Sequence, residues 1–338
     1  MPTPASWRDT ALWRETCAAP STLEQTLGDT DGVAAVARLM GGDGVRRVVA
    51  TGNGAAYYAA TALWLASLGD RPGPQVLCVP AGLLARGAFA WRDGDVLLAF
   101  SSSGEMRDVI EALEAGAPTP FAAITASPES TIGSRASAVA LVTVASQEAI
   151  THTQAFCGNV VAALSVWAAV TGDTTLNAAV RSIPELVAGA AESAETWAAG
   201  LPDLMSPSAG IVFGSRHAWA GALEGALLLK EVAGIPAEGV ETREGATSAM
   251  YSLRPGHLVV SLPTAGDTLL EEAETICAAR GATVLRAPGG DLADPRLSAV
   301  TAFPATVALA ARLGVEGGLD VDKPVWTDAY YAVARGPA

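Results

Sequence analysis

Val96–Leu113 reads VLLAFSSSGEMRDVIEAL, and the fold is decided by how this stretch is read. Asp93-Gly94-Asp95 bounds a short apolar run, Val96 to Phe100, which predicts a buried strand. Ser101-Ser102-Ser103-Gly104 then forms a turn. Met106, Val109, Ile110 and Leu113 fall at i, i+3, i+4 and i+7, the stripe of an amphipathic helix. Strand, Ser/Gly turn and helix is how an α/β protein builds an anion pocket. The helix start presents free N–H groups and the positive end of its dipole. The plain alternative is an ordinary βα loop with a serine N-cap.

Working outward, the same unit recurs. Val45 to Thr51 is a β-branched run that enters Gly52-Asn53-Gly54 and a helix over 55–68. Gln75 to Val79, Pro120 to Thr125 and Ala138 to Val144 read as further strands, and a long apolar helix over 153–170 closes this half. Upstream, Trp13 to Leu27 reads as a peripheral helix broken at Pro20. Downstream, 173–199 is Ala-rich and helical with Pro184 as a break, and Leu201 to Ala209 is the linker. Strands at 210–213, 257–262, 282–286 and 297–301 then alternate with helices at 218–232, 267–279 and 304–313. Near-continuously apolar strands alternating with helices mean parallel sheets covered on both faces. The second half mirrors the first, the mark of an internal duplication. The expected organisation is an N-terminal helical segment (1–40), a first α/β subdomain (41–172), a helical connection (173–209) and a second α/β subdomain with a tail (210–338).

Composition narrows the function. Among 338 residues, Lys+Arg number 21 and Asp+Glu 35, a net charge of −14 with no basic run longer than Arg46-Arg47. That argues against a nucleic-acid or anionic-membrane partner. The four cysteines are far apart, with no CxxC pair and only three histidines, so neither a structural metal nor a disulfide framework is expected. MPTPASWRDTALWRE lacks the basic and apolar regions of a signal peptide. With free thiols, this points to the cytoplasm.

Several stretches taken together resemble the SIS (sugar isomerase) domain family, and within it the isomerase half of glucosamine-6-phosphate synthase. They are Gly52-Asn53-Gly54-Ala55-Ala56-Tyr57-Tyr58-Ala59, Ser101-Ser102-Ser103-Gly104-Glu105 and Thr153-Gln154-Ala155-Phe156. Ala222-Leu223-Glu224-Gly225-Ala226-Leu227-Leu228-Leu229-Lys230-Glu231, Ile235-Pro236-Ala237-Glu238-Gly239 and Asp320-Val321-Asp322-Lys323-Pro324 complete the set. The likeness runs from about Glu15 to Val333. It implies an α/β fold of two tandem αβα three-layer sandwiches, each with a five-stranded parallel sheet. It also implies a homodimer that binds a small sugar or sugar phosphate, without cofactor or metal.

An aldose–ketose isomerase must move a proton between neighbouring carbons of an open-chain sugar. Glu224, Leu228 and Glu231 share one helix face, with Leu223 and Leu227 on an adjoining face that can pack into the core. Carboxylates beside apolar packing rise in pKa. The resemblance assigns proton transfer to Glu231 and ligand orientation to Glu224; a solvent-facing glutamate is the plain alternative. It assigns phosphate contacts to the turn serines, kept here as Ser101, Ser102 and Ser103; with them Gly52, Asn53, Gly54, Glu105, His152 and Thr153 are the candidate substrate-binding residues. The chain also departs from the family. Ala56 and Met106 replace a serine and a threonine, so two hydroxyl donors are lost, each hydrogen bond to a charged group contributing roughly 1.5–3 kcal/mol. Leu228 stands in place of a lysine, a ring-opening histidine is missing near Thr247, and a tail lysine is missing near Ala329. Two histidines can replace them, His217 at the start of the helix that carries Glu224, which is the catalytic candidate, and His152; an N-cap or loop histidine is the plain alternative for each.

The reading is therefore an isomerase for a sugar phosphate or amino-sugar phosphate, or a related deaminase or deglycase. The family's glutaminase domain is not recognised, so no glutaminase activity is expected. The alternatives are a non-catalytic phosphosugar-binding or regulatory protein, and an isomerase for an unphosphorylated sugar.

Overall fold

The computed structural model describes residues 6–69, 72–204 and 206–335. The first five residues of the N-terminal segment, Met205 of the linker and the last three residues of the tail lie outside the described residues.

Two helices open the chain, α1 (Ala11–Leu27) and α2 (Thr30–Met40). Strands and helices then alternate: β1 (Arg47–Thr51), α3 (Ala55–Ser67), β2 (Gln75–Cys78), α4 (Ala81–Ala85), β3 (Asp95–Phe100) and α5 (Arg107–Glu114). β4 (Ala122–Thr125), α6 (Thr131–Arg135) and β5 (Ala138–Leu141) complete the first sheet. Three helices follow, α7 (Thr153–Thr171), α8 (Thr174–Arg181) and α9 (Ile183–Gly200). The second series is β6 (Ala209–Gly214), α10 (Ala218–Glu231), β7 (Ala237–Val240), α11 (Thr242–Thr247), β8 (His257–Leu262), α12 (Thr268–Ala279) and β9 (Thr283–Arg286). Three helices, α13 (Ser298–Thr301), α14 (Phe303–Glu316) and α15 (Thr327–Arg335), end the chain.

The chain divides into two compact units. One holds residues up to Pro20, Ser146–Thr153 and Ile183–Val325. The other holds Ser21–Ala145, Gln154–Ser182 and the residues from Trp326 on. We call them the α10 unit and the α5 unit.

In the α5 unit all strand pairs are parallel, in the order β2-β1-β3-β4-β5. Val49, Leu97, Ala99 and Ala123 bury one sheet face against Ala81, Leu84, Val109 and Ile132 of α4, α5 and α6. α2 and α3 lie against strands of the same sheet. In the α10 unit the pairs are again parallel, in the order β7-β6-β8-β9. Ile211, Phe213 and Val259 meet Val240, Ala246, Leu270 and Cys277 on one face. α10, packed on α14, lies along β6 and β7. Both units are α/β with parallel sheets, as the alternation predicts.

Four local readings change. The second sheet has four strands among the described residues, not five. The run at 297–301 is helical, because Asp294 accepts N–H from Arg296 and starts a turn with Pro295 at its first positions. β7 (AEGV) escaped notice because its Glu238 and Gly239 break the apolar pattern of a strand. Pro20 lies inside α1 instead of ending it, and Pro184 is the second residue of α9, where its missing N–H costs nothing.

Small residues let α10 sit close to its neighbours. A Cβ on Gly225 would come 2.7 Å from Thr306 Cγ2 of α14, and one on Gly239 of β7 would come 2.5 Å from the Ala222 carbonyl oxygen. α7 and the segment Pro295–Glu316 are long and apolar enough to cross a membrane, but 83% and 89% of their most apolar windows are buried within the protein. That burial is the setting of core helices.

The Gly239 contact is with backbone, which cannot move aside. Gly239→Ala is expected to destabilise the protein by about 1–3 kcal/mol through overpacking, seen as a lower midpoint in thermal unfolding. Gly189→Ala, on the exposed side of α9 with nothing within 4 Å of the new Cβ, is the control and should equal or exceed wild type.

Candidate active site

The predicted site residues fall into the two units. In the α5 unit the strand order places the reversal point between β1 and β3, where ligands of open α/β sheets bind. The turns after these strands line that crevice. After β1, a Cβ on Gly52 would come 2.9 Å from the Ala56 carbonyl carbon and 3.0 Å from the Phe100 oxygen, so only glycine fits. Gly54 has φ +53°, also a glycine conformation. Asn53 Nδ2 donates to Asp108 Oδ2 of α5 at 2.9 Å, which ties the two turns together.

After β3, the three serines differ. Ser101 is buried and its Oγ accepts the Gly104 N–H at 3.0 Å. Ser103 Oγ accepts the Glu105 N–H at 3.3 Å. Ser102 is partly exposed, and its Oγ accepts from Asn159 Nδ2 at 3.1 Å. Glu105 Oε1 accepts the Thr131 N–H at 2.7 Å, so this carboxylate caps α6. Met106, where the family resemblance places a threonine, is the N-cap residue of α5 and makes no side-chain cap bond. Its side chain packs against the core instead. The first N–H groups of α5 therefore have no side-chain acceptor from that position. α15, which carries Ala329, lies against α5 in the same unit.

In the α10 unit, close packing makes the chemistry. Glu224 is 2% exposed, and its Oε2 has no hydrogen-bond partner. Burial pushes its carboxyl well above the ordinary range, the nearby Glu231 charge pushes it further, and Lys230 opposes both. Glu231, at the end of α10, is partly exposed. Burial raises its carboxyl to about 7, against the lowering effects of the Thr151 hydrogen bond and Lys230. Leu228, between the two on the same face, is fully buried and brings no charge. Leu223 and Leu227 are only partly buried; Leu228 and Leu229 are the core leucines of this helix.

Thr151 Oγ1 donates to Glu231 Oε2 at 3.4 Å. Thr151 was not singled out in the sequence, because a contact 80 positions away leaves no local signal. The same bond brings the neighbouring His152 and Thr153 to the end of α10. Thr153 is buried and its hydroxyl has no partner. Glu15 holds the start of this segment through Ser146 Oγ at 2.8 Å and the Glu148 N–H at 2.7 Å. The Ile150 N–H donates to the Asp322 carbonyl at 2.9 Å, and the Asp322 carboxylate accepts the Ala11 and Leu12 N–H groups. The DVDKP tail motif thus anchors the strap that carries Thr151.

His217 is the N-cap residue of α10, with no side-chain cap bond and no partner at Nδ1. Burial and then Arg296 lower its pKa, against Asp294, so the ring is neutral at pH 7. A neutral imidazole can accept or donate one proton bond. Thr247 Oγ1 is occupied by the backbone carbonyls of Arg243 and Glu244.

This geometry agrees with what the chain is similar to. The SIS domain family profile matches residues 44–171. Residues 44–171 are a SIS domain. A curated relative, glutamine–fructose-6-phosphate aminotransferase (isomerizing) of Leifsonia xyli subsp. xyli, is 33% identical over 270 residues. That match takes in 68% of this chain and 43% of the relative, so the chain spans less than half of that protein's length. Among solved structures, the C-terminal domain of glucosamine-fructose-6-phosphate aminotransferase from Francisella tularensis is similar at TM-score 0.77 and 19% identity, covering 94% of this chain and 98% of that one. Glucosamine-6-phosphate deaminase from Thermotoga maritima is similar at TM-score 0.75 and 19% identity, covering 93% and 97%. The SIS domain contains both Gly- and Ser-rich turns, while Glu224 and Glu231 lie outside the matched segment.

The carboxyl pair has a consequence for stability. Glu231 is raised from 4.5 to about 7, so between those pH values the folded protein keeps a proton that the unfolded chain has lost. Its contribution therefore falls as pH rises through that window. Glu231→Gln removes this slope. Relative to wild type, the variant should gain up to roughly 3 kcal/mol from the low to the high end of the window, at 1.36 kcal/mol per unit. Urea unfolding at stepped pH measures the difference; parallel pH curves would rule out a raised carboxyl.

Proposed function

We propose that this protein is an isomerase of the aldose–ketose type for a sugar phosphate or amino-sugar phosphate, or a related deaminase or deglycase. The observation that carries the reading is the carboxyl pair on α10, one member fully buried and pushed well above the ordinary range, the other raised to about 7. Two like groups whose pKa values are pushed apart supply an acid and a base at one pH. The SIS domain and the relatives, named for isomerising or deaminating sugar phosphates, support the substrate class. A small-molecule substrate, a cytoplasmic setting and a homodimer without cofactor complete the proposal.

The roles follow from the chemistry. Ionised Glu231 takes the proton from the carbon next to the carbonyl of an open-chain sugar. The electron pair moves to the carbonyl oxygen, which takes a proton from the acid form of Glu224. Glu231, now protonated, returns its proton to the adjacent carbon of the enediol as the other hydroxyl gives its proton back to Glu224, so aldose and ketose interconvert with no net oxidation. With an amino sugar the same shift gives an enolamine and then an imine, which one water hydrolyses to ketose and ammonia. Neutral His217 can carry a proton to or from a ring oxygen. The turns at 52–54 and 101–105 present N–H and hydroxyl donors of the kind that hold a phosphoryl group.

A second reading, a sugar-phosphate-binding protein without turnover, draws on Leu228, Thr247 and Ala329, where the family resemblance places two lysines and a histidine. An unphosphorylated substrate draws on Ala56 and Met106.

Incubation with fructose 6-phosphate or glucosamine 6-phosphate in deuterated water, followed by NMR, decides between them. Exchange at C1 or C2 is expected. It should fall by about 10²–10⁴ in Glu231→Gln and in Glu224→Gln, the range for loss of a general acid or base. Tight binding with no exchange leaves the binding protein. Thr151→Val, losing a bond that favours ionised Glu231, should move the acidic limb of the pH–rate profile upward, and Thr151→Ser should restore it.

A further inference from the structure

Of the three serines after β3, Ser101 and Ser103 accept hydrogen bonds from backbone N–H groups of their own turn. Ser102 is different: its Oγ accepts from a side chain, Asn159 of α7, 57 positions away. Asn159 is 1% exposed on a helix whose other buried residues are almost all apolar, and its Oδ1 has no partner. Burying an amide with one end unsatisfied costs stability that a leucine there would not. The bond to Ser102 is what the amide supplies in return.

A serine hydroxyl has one proton to give and two lone pairs. With the Asn159 N–H on a lone pair, the Ser102 proton cannot point back at that donor and is left to point elsewhere. Ser102 is also partly exposed, whereas Ser101 is buried. The Ser102 proton is therefore turned away from Asn159, beside a helix start that has no side-chain cap. A proton turned in that direction meets a phosphoryl oxygen in a charge-assisted bond, stronger than one to a neutral oxygen. A sugar hydroxyl, which can both give and accept, gains less from it. It also offsets part of what Ala56 and Met106 take away.

We propose that Asn159 is a positioning residue that commits the Ser102 hydroxyl to donate to an anionic oxygen, so that this turn prefers phosphorylated to free sugars. The proposal rests on the reading of the turn as a phosphosugar cradle.

Titration calorimetry with fructose 6-phosphate, inorganic phosphate and free fructose tests it on the intact chain. Asn159→Leu should weaken both phosphate-bearing probes about tenfold or more and leave fructose unchanged. Its thermal midpoint should equal or exceed wild type, since the unpaired amide oxygen is gone. A merely structural role for Asn159 would lower the midpoint instead. Ser102→Ala should lose as much affinity as Asn159→Leu, and the double variant no more than either. Asn159→Asp, whose carboxylate accepts from Ser102 and turns its proton inward, should lose more. If Ser102→Ala loses phosphate binding and Asn159→Leu does not, or if the two losses add, the proposal is overturned and the cradle stands. If wild type binds fructose 6-phosphate no better than fructose and does not bind phosphate, the cradle reading fails and this proposal falls with it.

Discussion

Exclusion of solvent from Glu224 is the constraint that governs the charges on α10. Gly221 and Gly225 bring the helix against α13 and α14, where a Cβ would come within 3.2 Å of Ala299 and 2.7 Å of Thr306. Gly239 brings β7 against the other side. The helix is packed so closely that a carboxyl at Glu224 has neither water nor a partner for one oxygen. A carboxylate in that setting takes up a proton instead of staying charged. The residue between the two glutamates settles the balance. Buried Leu228 brings no charge to this face, and desolvation dominates both carboxyls against Lys230. With no charge at position 228, the two glutamates differ in burial, Glu224 fully enclosed and Glu231 partly exposed.

The two sheets share one order around their central strands, β2-β1-β3-β4 and β7-β6-β8-β9, so each has a crevice where the order reverses. The crevices are filled differently. In the α10 unit the turn after β6 presents Ser215, whose hydroxyl lies between Thr242 Oγ1 at 2.7 Å and the Asp267 carboxylate. Asp267 also caps α12 through the Leu270 N–H. A carboxylate of the chain already sits where an anion would be held. In the α5 unit the helix after β3 begins at Met106, which offers no oxygen. Asp108 is drawn to Asn53 instead. The same topology therefore leaves one helix start without a side-chain cap and closes the other with the chain's own acid.

Much of this was legible in the sequence, for physical reasons. Val96–Phe100 is apolar at every position because both faces of β3 are buried, and the serines after it mark the turn directly. Glu224 stood out because a charge within an apolar helix breaks the pattern around it. β7 was missed because it is short and carries Glu238 and Gly239, and 297–301 misled because β-branched Val300 and Thr301 sit in a helix that packing imposes. Thr151 and Asn159 were illegible for another reason. Each acts through a single bond to a residue far along the chain, Glu231 and Ser102, and such a bond has no periodicity.

The placement of Thr151 shows how distant parts of the chain act on one proton. The segment 146–153 has no regular structure before α7 begins, so its position must be imposed. Glu15 of α1 imposes it at one end, accepting from Ser146, Glu148 and Ala149 with one oxygen. The backbone of Asp322 holds Ile150, while its carboxylate caps the start of the same α1. Three segments far apart in sequence thereby hold the strap that delivers the Thr151 hydroxyl to Glu231. Since that hydroxyl favours the ionised carboxylate and burial disfavours it, the position of the strap sets how much of Glu231 is a base near neutral pH. The tail motif and the first helix, neither of which carries a candidate catalytic residue, in this way bear on the charge of Glu231.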